Sequence, residues 1–262
     1  NVALLYTHVQ DHTVAQADAM QKLTPMFLLS YKKGGWILRA FHKRIFRVPT
    51  LNDLYYTLVG NTQLQPEYTS QWDAGIDYKG KRFHFAVDGY YNHIEDKIVA
   101  IPMKCQFRWS MVNFGKVKSY GASFSGGYNQ DWGKFSLAAN ANYTYQIDKD
   151  YTMPSDPEYK NYIPYSPMHS GSVILDLGYD SYSLCTSFLY TGERFALVSN
   201  NADDLLGDWY TIDLKLNKRF KIGKYVLQTT LECNNLTDSR HEVVKRYPMP
   251  GRNWKCTVKF EL

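Results

Sequence analysis

The chain closes on Gly251-Arg252-Asn253-Trp254-Lys255-Cys256-Thr257-Val258-Lys259-Phe260-Glu261-Leu262, where polar and apolar side chains alternate from Asn253 onward. Trp254, Cys256, Val258, Phe260 and Leu262 take one face of an extended strand; Asn253, Lys255, Thr257, Lys259 and Glu261 take the other. Just before this run lie Asn234-Asn235-Leu236-Thr237-Asp238 and Tyr247-Pro248-Met249-Pro250, a loop rich in turn formers. A final strand with one greasy and one wet face is how a membrane β-barrel closes.

Working outward, the same period of two recurs. Trp72, Ala74, Ile76 and Tyr78 alternate with Gln71, Asp73 and Asp77; Phe135, Leu137, Ala139, Ala141, Tyr143 and Tyr145 alternate with Ser136, Asn140, Asn142 and Thr144. Strands are expected at about 23–31, 36–46, 68–79, 82–93, 114–129, 135–147, 168–179, 182–192, 209–220, 224–235 and 252–262, with residues 1–9 a twelfth. Tight turns at Lys32-Lys33-Gly34-Gly35, Lys79-Gly80-Lys81, Asp131-Trp132-Gly133-Lys134, Asp180-Ser181 and Ile222-Gly223-Lys224 supply the positive φ of short hairpins. Long segments near 10–22, 47–67, 94–113, 148–167, 193–208 and 236–251 separate them. Short turns alternating with long loops is the transmembrane-barrel layout. A soluble sandwich alternates in the same way. The ten-residue strands and the aromatics at their ends favour the membrane. Polar residues of both parities in 36–47 predict a bulge there.

Composition agrees. Hydrophobic residues make up 44% of the 262 residues, yet mean hydropathy is −0.43 and no apolar run approaches a helical span. The 22 Tyr suit strands and interface girdles. The net charge of +5 is spread thinly, with Lys32-Lys33 and Lys43-Arg44 the densest pairs, so no nucleic-acid partner is expected. Cys105, Cys185, Cys233 and Cys256 show neither CxxC nor zinc spacing; Cys233 and Cys256 read as lipid-facing thiols, with a disulfide the alternative. Residues 1–6 read as mid-strand without a signal pattern, which makes the chain look like part of something longer.

Two motifs carry a family resemblance. Asn235-Leu236-Thr237-Asp238 with Tyr247-Pro248-Met249-Pro250-Gly251-Arg252 resembles the end of TonB-dependent outer-membrane receptors. Phe46-Arg47-Val48-Pro49-Thr50-Leu51-Asn52-Asp53-Leu54-Tyr55, then Asn61-Thr62-Gln63-Leu64-Gln65-Pro66-Glu67, resembles the paired boxes flanking an outer loop late in that barrel. Val48 replaces the usual Ala, the second box lacks its Pro and second Asn, His241 stands where an aromatic is typical, and Leu262 replaces a terminal Phe. The resemblance implies an all-β antiparallel transmembrane barrel of 22 strands, of which residues 1–262 hold the closing 11 or 12, without the plug domain. It also implies a Gram-negative outer membrane, a TonB complex acting through that plug, outer-membrane lipid, and a surface lipoprotein as a further partner. Cobalamin is the ligand whose receptors the pattern most resembles; a ferric siderophore is the alternative. Haem receptors tend to place a His between the boxes, and residues 50–66 contain none.

No GxSxG, HExxH or P-loop occurs, so no enzyme is expected and no cofactor is called for. A passive porin or a soluble binding module are the rival classes. His84, Asp88 and Asn92 share the polar parity and read as barrel lining. Asn200-Asn201-Ala202-Asp203-Asp204 with Asp208 offers oxygen ligands without EF-hand spacing, a solvated loop rather than a metal site. Ligand capture is expected at Tyr55, Tyr56, Met103, Phe107, Trp109, Tyr159 and Tyr162, which suit a large flat ligand, with Arg47 and Arg108 for its acidic groups.

Overall fold

The computed structural model describes residues 2–9, 20–102 and 108–261. In chain order the elements are β1 (Val2–Val9), β2 (Met20–Lys33), β3 (Trp36–Arg47), helix α1 (Leu51–Tyr55), β4 (Glu67–Lys79), β5 (Phe83–Pro102) and β6 (Trp109–Trp132). There follow β7 (Phe135–Asp150), β8 (His169–Tyr179), β9 (Tyr182–Thr191), β10 (Arg194–Phe195), a 3-10 turn (Ala202–Asp204) and β11 (Leu205–Leu206). The last are β12 (Trp209–Ile222), β13 (Tyr225–Asn234), β14 (Glu242–Val244), β15 (Tyr247–Pro248) and β16 (Asn253–Glu261). Twelve strands form one antiparallel sheet in the order β1-β2-β3-β4-β5-β6-β7-β8-β9-β12-β13-β16. The pairs β10–β11 and β14–β15 are small hairpins inside loops.

Five tight turns lie at one end of the sheet, where Gly34, Gly133 and Gly223 take φ of +58°, +61° and +63° and Asp180 takes 53°. The long loops gather at the other end. No helix among the described residues is long and apolar enough to cross a membrane, which says nothing of strands.

Register gathers most apolar positions on one face, with exceptions such as Ile37, Phe41 and Ile174 on the other. The row Tyr143, Gly171, Tyr190, Tyr210 runs straight across β7, β8, β9 and β12. Nearer the turns, Phe135, Tyr179 and Tyr182 form a second aromatic row. Phe124, Val173, Leu216 and Leu231 lie on this face and remain 41–49% exposed. That is how a lipid-contacting wall looks with protein alone around it. The opposite face is polar. Arg39 bonds Asp77 at 2.6 Å and also Asp88. Gly75 leaves the room, since a Cβ there would strike the Asp88 carboxylate. His84, Asp88 and Asn92 sit on this face, as their parity predicts.

Three expectations change. The β3–β4 ladder pairs Trp36 with Tyr78 through Arg47 with Glu67 in one register, so residues 36–47 contain no bulge. Both parities are polar there for different reasons: Arg39 meets carboxylates on the polar face, while His42 stacks on Trp72 at 4.1 Å and meets Ser70 at 3.0 Å near the loop end. Residues 94–113 are not all loop, because β5 and β6 continue their ladder to Pro102 and Trp109. Ile94, Ile98, Val99, Ile101, Val112 and Phe114 are the apolar, mostly β-branched residues that hold this extension together. Cys185, Cys233 and Cys256 are free thiols; Cys233 is buried rather than open to lipid. Cys105 and Leu262 lie outside the described residues.

Leu175 stands midway between the two aromatic rows. Leu175→Arg is expected to cost about 2–4 kcal/mol, and Asn142→Arg on the polar face under about 1 kcal/mol. Urea titration of the full protein refolded in phosphatidylcholine vesicles checks this; equal costs would contradict the assignment of faces.

Candidate functional site

The two sequence motifs are loop clamps. Thr50 caps α1: its hydroxyl accepts from Asp53 N at 3.2 Å, and the Asp53 carboxylate accepts from Thr50 N at 2.9 Å. Arg47 donates to Asp53 at 3.0 Å and lies 3.7 Å from Glu67, whose carboxylate accepts from Ile98 N at 3.0 Å. Asn61 donates to the Met111 carbonyl at 3.0 Å, and Leu64 is buried, so the loop between the boxes lies down on β6. Pro49, Pro66 and Phe46 frame the same bend, with Phe46 against Tyr68 at 5.1 Å.

At the C-terminal motif, Asn235 is buried with φ 53°. Its N–H donates to Asp213 at 2.7 Å, and its side-chain amide donates to the carbonyls of Ser239 and Pro250. Leu236 N donates to the Ile212 carbonyl at 2.8 Å. Asp238 accepts from Arg252 N at 2.8 Å and fills the space a Cβ at Gly251 would need. Tyr247 and Pro248 are β15, the return strand of the loop hairpin.

Between these clamps the loops bind one another. Arg194 is only 4% exposed and meets no carboxylate among the described residues. Its guanidinium donates instead to the carbonyls of Gly192, Gly207, Glu242 and Val243, the last two at 2.6 and 3.1 Å. Burial lowers its pKa, but a guanidinium keeps its proton in proteins, so one fixed cation ties the 193–208 loop to the 236–251 loop. Lys245 adds a bridge to Asp204 at 2.9 Å. Asn200 exchanges hydrogen bonds with both backbone groups of Tyr162 and donates to Leu197, joining the loop that starts after β7. Asn200 and Asp204 thus serve loop docking.

This framework borders an open cleft of about 380 Å³ lined by Ala100, Trp109, Tyr165, Pro167, Thr191, Arg194 and Trp209, with Val243 and Val244. A second of about 430 Å³ shares Trp109, Val243 and Val244 and adds Tyr247 and Met249. Ala100, Trp109, Thr191 and Trp209 fall on the polar-face parity, so the vestibule sits at the loop end of the barrel interior. Trp109 lies 5.6 Å from Tyr165, and Trp209 stacks on His241 at 4.2 Å. His241 there takes the part of the aromatic residue it replaces. Burial pushes the Tyr165 hydroxyl up; a backbone hydrogen bond at Lys245 partly offsets this.

Of the sequence candidates among the described residues, only Trp109 lines the vestibule. Tyr55 and Tyr56 are exposed beside α1, and Arg108 is exposed at the start of β6. Arg47 is engaged by Asp53 and Glu67. Tyr159 packs edge-on against Tyr151, and Tyr162 lies under Lys149 and beside Phe195, away from Trp109. Met103 and Phe107 fall outside the described residues. Tyr165, Arg194, Trp209 and His241 were not legible as a group, because three loops and the start of β12 bring them together. Among the described residues no cluster of metal-ligating side chains forms.

With this geometry in view, comparison with known proteins gives the class. Residues 2–236 match the family described as TonB dependent receptor-like, beta-barrel, and the chain belongs to it. It is 23% identical over 220 residues to the vitamin B12 transporter BtuB of Vibrio vulnificus (strain YJ016), a match that covers 82% of this chain and 33% of the relative. The ferric citrate transporter FecA superposes with a TM-score of 0.70 at 16% identity, over 91% of this chain and 38% of that one. The copper transporter OprC gives 0.69 at 16% identity, over 94% and 40%. The chain therefore spans about a third of the curated relative and two fifths of the solved structures.

Two outcomes are expected. Arg194→Ala leaves four carbonyls without their donor and loosens loop docking by about 2–4 kcal/mol; hydrogen exchange at the Tyr165 and Ala196 amides, which bond across these loops, speeds up accordingly. At Asp53, burial alone would raise the carboxyl, but hydrogen bonds from Thr50 and Arg47 outweigh it and hold the pKa below the ordinary value. Its contribution is therefore complete above the unfolded carboxylate pKa, about 4, and lost only as pH falls through the lower folded value. Exchange at the Leu54 amide tracks this below about pH 4, and Asp53→Asn removes the dependence.

Proposed function

We propose that this chain is the C-terminal wall of an outer-membrane import receptor. The loop-end vestibule captures a large scarce nutrient, and a TonB complex acting through a plug domain drives its release inward. The carrying observation is the vestibule itself: Trp109, Tyr165, Trp209, Tyr247 and Met249 meet on loops held rigid by Arg194. Rigid aromatic surface suits a large ligand with flat apolar faces, because little side-chain freedom is lost on binding. Two features support a plugged, larger barrel. Asp73 Oδ1 and Asn92 Oδ1 on the polar face lack partners among the described residues. β1 and β16 stand at the ends of the strand order, and free strand edges are untenable in lipid, so further strands are proposed to close the wall.

Cobalamin is the ligand we favour, on the aromatic lining and the similarity to a vitamin B12 transporter. A ferric siderophore is the second reading, favoured by the resemblance in shape to the ferric citrate transporter and to BauA, the ferric preacinetobactin receptor of Acinetobacter baumannii. A surface lipoprotein partner would sit over the same loops.

Calorimetry on the complete receptor in detergent tests the choice. Cyanocobalamin is expected to bind, and Trp109→Ala or Trp209→Ala to weaken it at least about tenfold, or 1.4 kcal/mol. No cobalamin binding, with ferric-siderophore binding sensitive to the same substitutions, selects the second reading. Uptake that persists after the proton gradient is collapsed would leave a passive porin.

A further inference from the structure

On the apolar face, the cross-strand rows change chemistry abruptly towards the loop end. One row reads His42, Trp72, Tyr91, Tyr120, Ile147 across β3 to β7. The next row outward reads Arg44, Ser70, His93, Lys118, Lys149, each the direct register partner of its neighbour. Lys116 stands one row further out, opposite Glu95. Neighbouring strands lie about 4.8 Å apart, so the basic row spans roughly 19 Å.

Among the described residues, no carboxylate lies in ion-pair reach of Arg44, Lys116, Lys118 or Lys149. Glu95, the carboxylate of the outermost row, is 3.7 Å from His93. Lys118 Nζ rests 4.3 Å from the Tyr151 ring and Lys149 Nζ 4.5 Å from the Tyr162 ring. A ring beneath an ammonium steadies it without using its hydrogen-bond donors on an acceptor oxygen. The β2–β3 ladder ends where Met26 meets Lys43. Beyond that point a cavity of about 480 Å³ lies between β2 and β3, lined by Arg44, Ser70, His93 and Glu95 on the outer face and also by Ile45 and Thr69 of the opposite parity. Below the aromatic row, Ala40, Ala74, Gly89 and Ala122 form a row of small side chains, and a Cβ at Gly89 would meet nothing.

We propose that this row binds the phosphate-bearing headgroup of an outer-leaflet glycolipid. The order of chemistry along the wall matches the order along such a lipid. Phosphates meet Arg44, His93, Lys118 and Lys149; the interface meets Trp72, Tyr91 and Tyr120; acyl chains meet the shallow furrow over Ala74 and Gly89. An aromatic row marks the depth of the lipid interface, and the cations stand one row beyond it. Donors that meet no carboxylate among the described residues, arrayed over roughly 19 Å, suit several phosphate oxygens better than a single small anion. The inference rests on the outer-membrane placement proposed above and is independent of which nutrient is imported.

The complete receptor, purified in dodecyl maltoside and incubated with lipid A or with dephosphorylated lipid A, is read by native mass spectrometry. Lipid A is expected to be retained about tenfold better than the dephosphorylated form. The triple variant Arg44→Gln, Lys118→Gln, Lys149→Gln is expected to abolish that preference. Lys79→Gln with Lys81→Gln, at the turn end, leaves it intact. A heat-dependent gel shift confirms that each barrel is folded. The single variants Lys118→Gln and Lys149→Gln give a graded loss should the triple one misfold. Equal retention of both lipids, or unchanged retention in the substituted proteins, overturns the proposal. A wild-type protein that stays in buffer without detergent sinks the membrane placement instead.

Discussion

Hydrocarbon offers no hydrogen bonds, so a chain that crosses it as strands must satisfy every backbone N–H and C=O within the ladder. That one demand explains most of this wall. It forces each strand to pair with the next along β1 to β16, and the short turns between consecutive strands make those neighbours antiparallel. It also forces a single register, because a slip of one residue would turn every apolar side chain inward and every polar one to lipid. The unbroken pairing of β3 with β4 and the long β5–β6 ladder are consequences of that demand.

At the loop end water returns and the demand relaxes, so another device must hold the backbone. Here buried polar side chains replace the ladder. Asn235 supplies hydrogen bonds to a loop base that no strand pairs, and Asp53 with Thr50 does so for α1. Arg194 is the extreme case, a buried cation answered only by carbonyl oxygens from two loops. Several carbonyl dipoles converging on a guanidinium compensate a charge that burial would otherwise make untenable. Removing any one loop would leave that charge exposed to an incomplete shell, so the loops are stable together or not at all.

The wall was legible in the sequence because its signal is local. Alternation along 71–78 or 135–145 reports a face directly, and Gly133 or Asp180 reports a turn without reference to the rest of the chain. The apparent bulge at 36–47 failed for an instructive reason. Arg39 and Arg44 look alike in sequence, but one sits in a carboxylate cluster on the inner face and the other beyond the aromatic row on the outer face. Strand parity tells inside from outside; it does not tell depth. The vestibule was largely illegible because it is non-local. Trp109, Tyr165, Trp209 and Val243 come from four separate segments, and only the docking of loops through Asn200 and Arg194 brings them together. Tyr159 and Tyr162 were reasonable aromatics in a reasonable loop, and the same docking turns them away.

That division has a consequence for how such a receptor can vary. Clamp residues such as Arg47, Asp53, Asn235 and Asp238 bond backbone and one another, and none lines the vestibule cavities. Most residues lining the cavities carry little of the loop framework; Arg194 is the exception, lining the first cavity while tying two loops together. Substituting Tyr247 or Met249, which are 57% and 43% exposed, therefore changes the ligand surface without disturbing the clamps. Substituting Asn235 dismantles the loop base whatever the ligand. Motifs built of clamp residues identify the architecture, which is why two motifs mark this family, while the surface of the vestibule is set by aromatic residues outside the first of them.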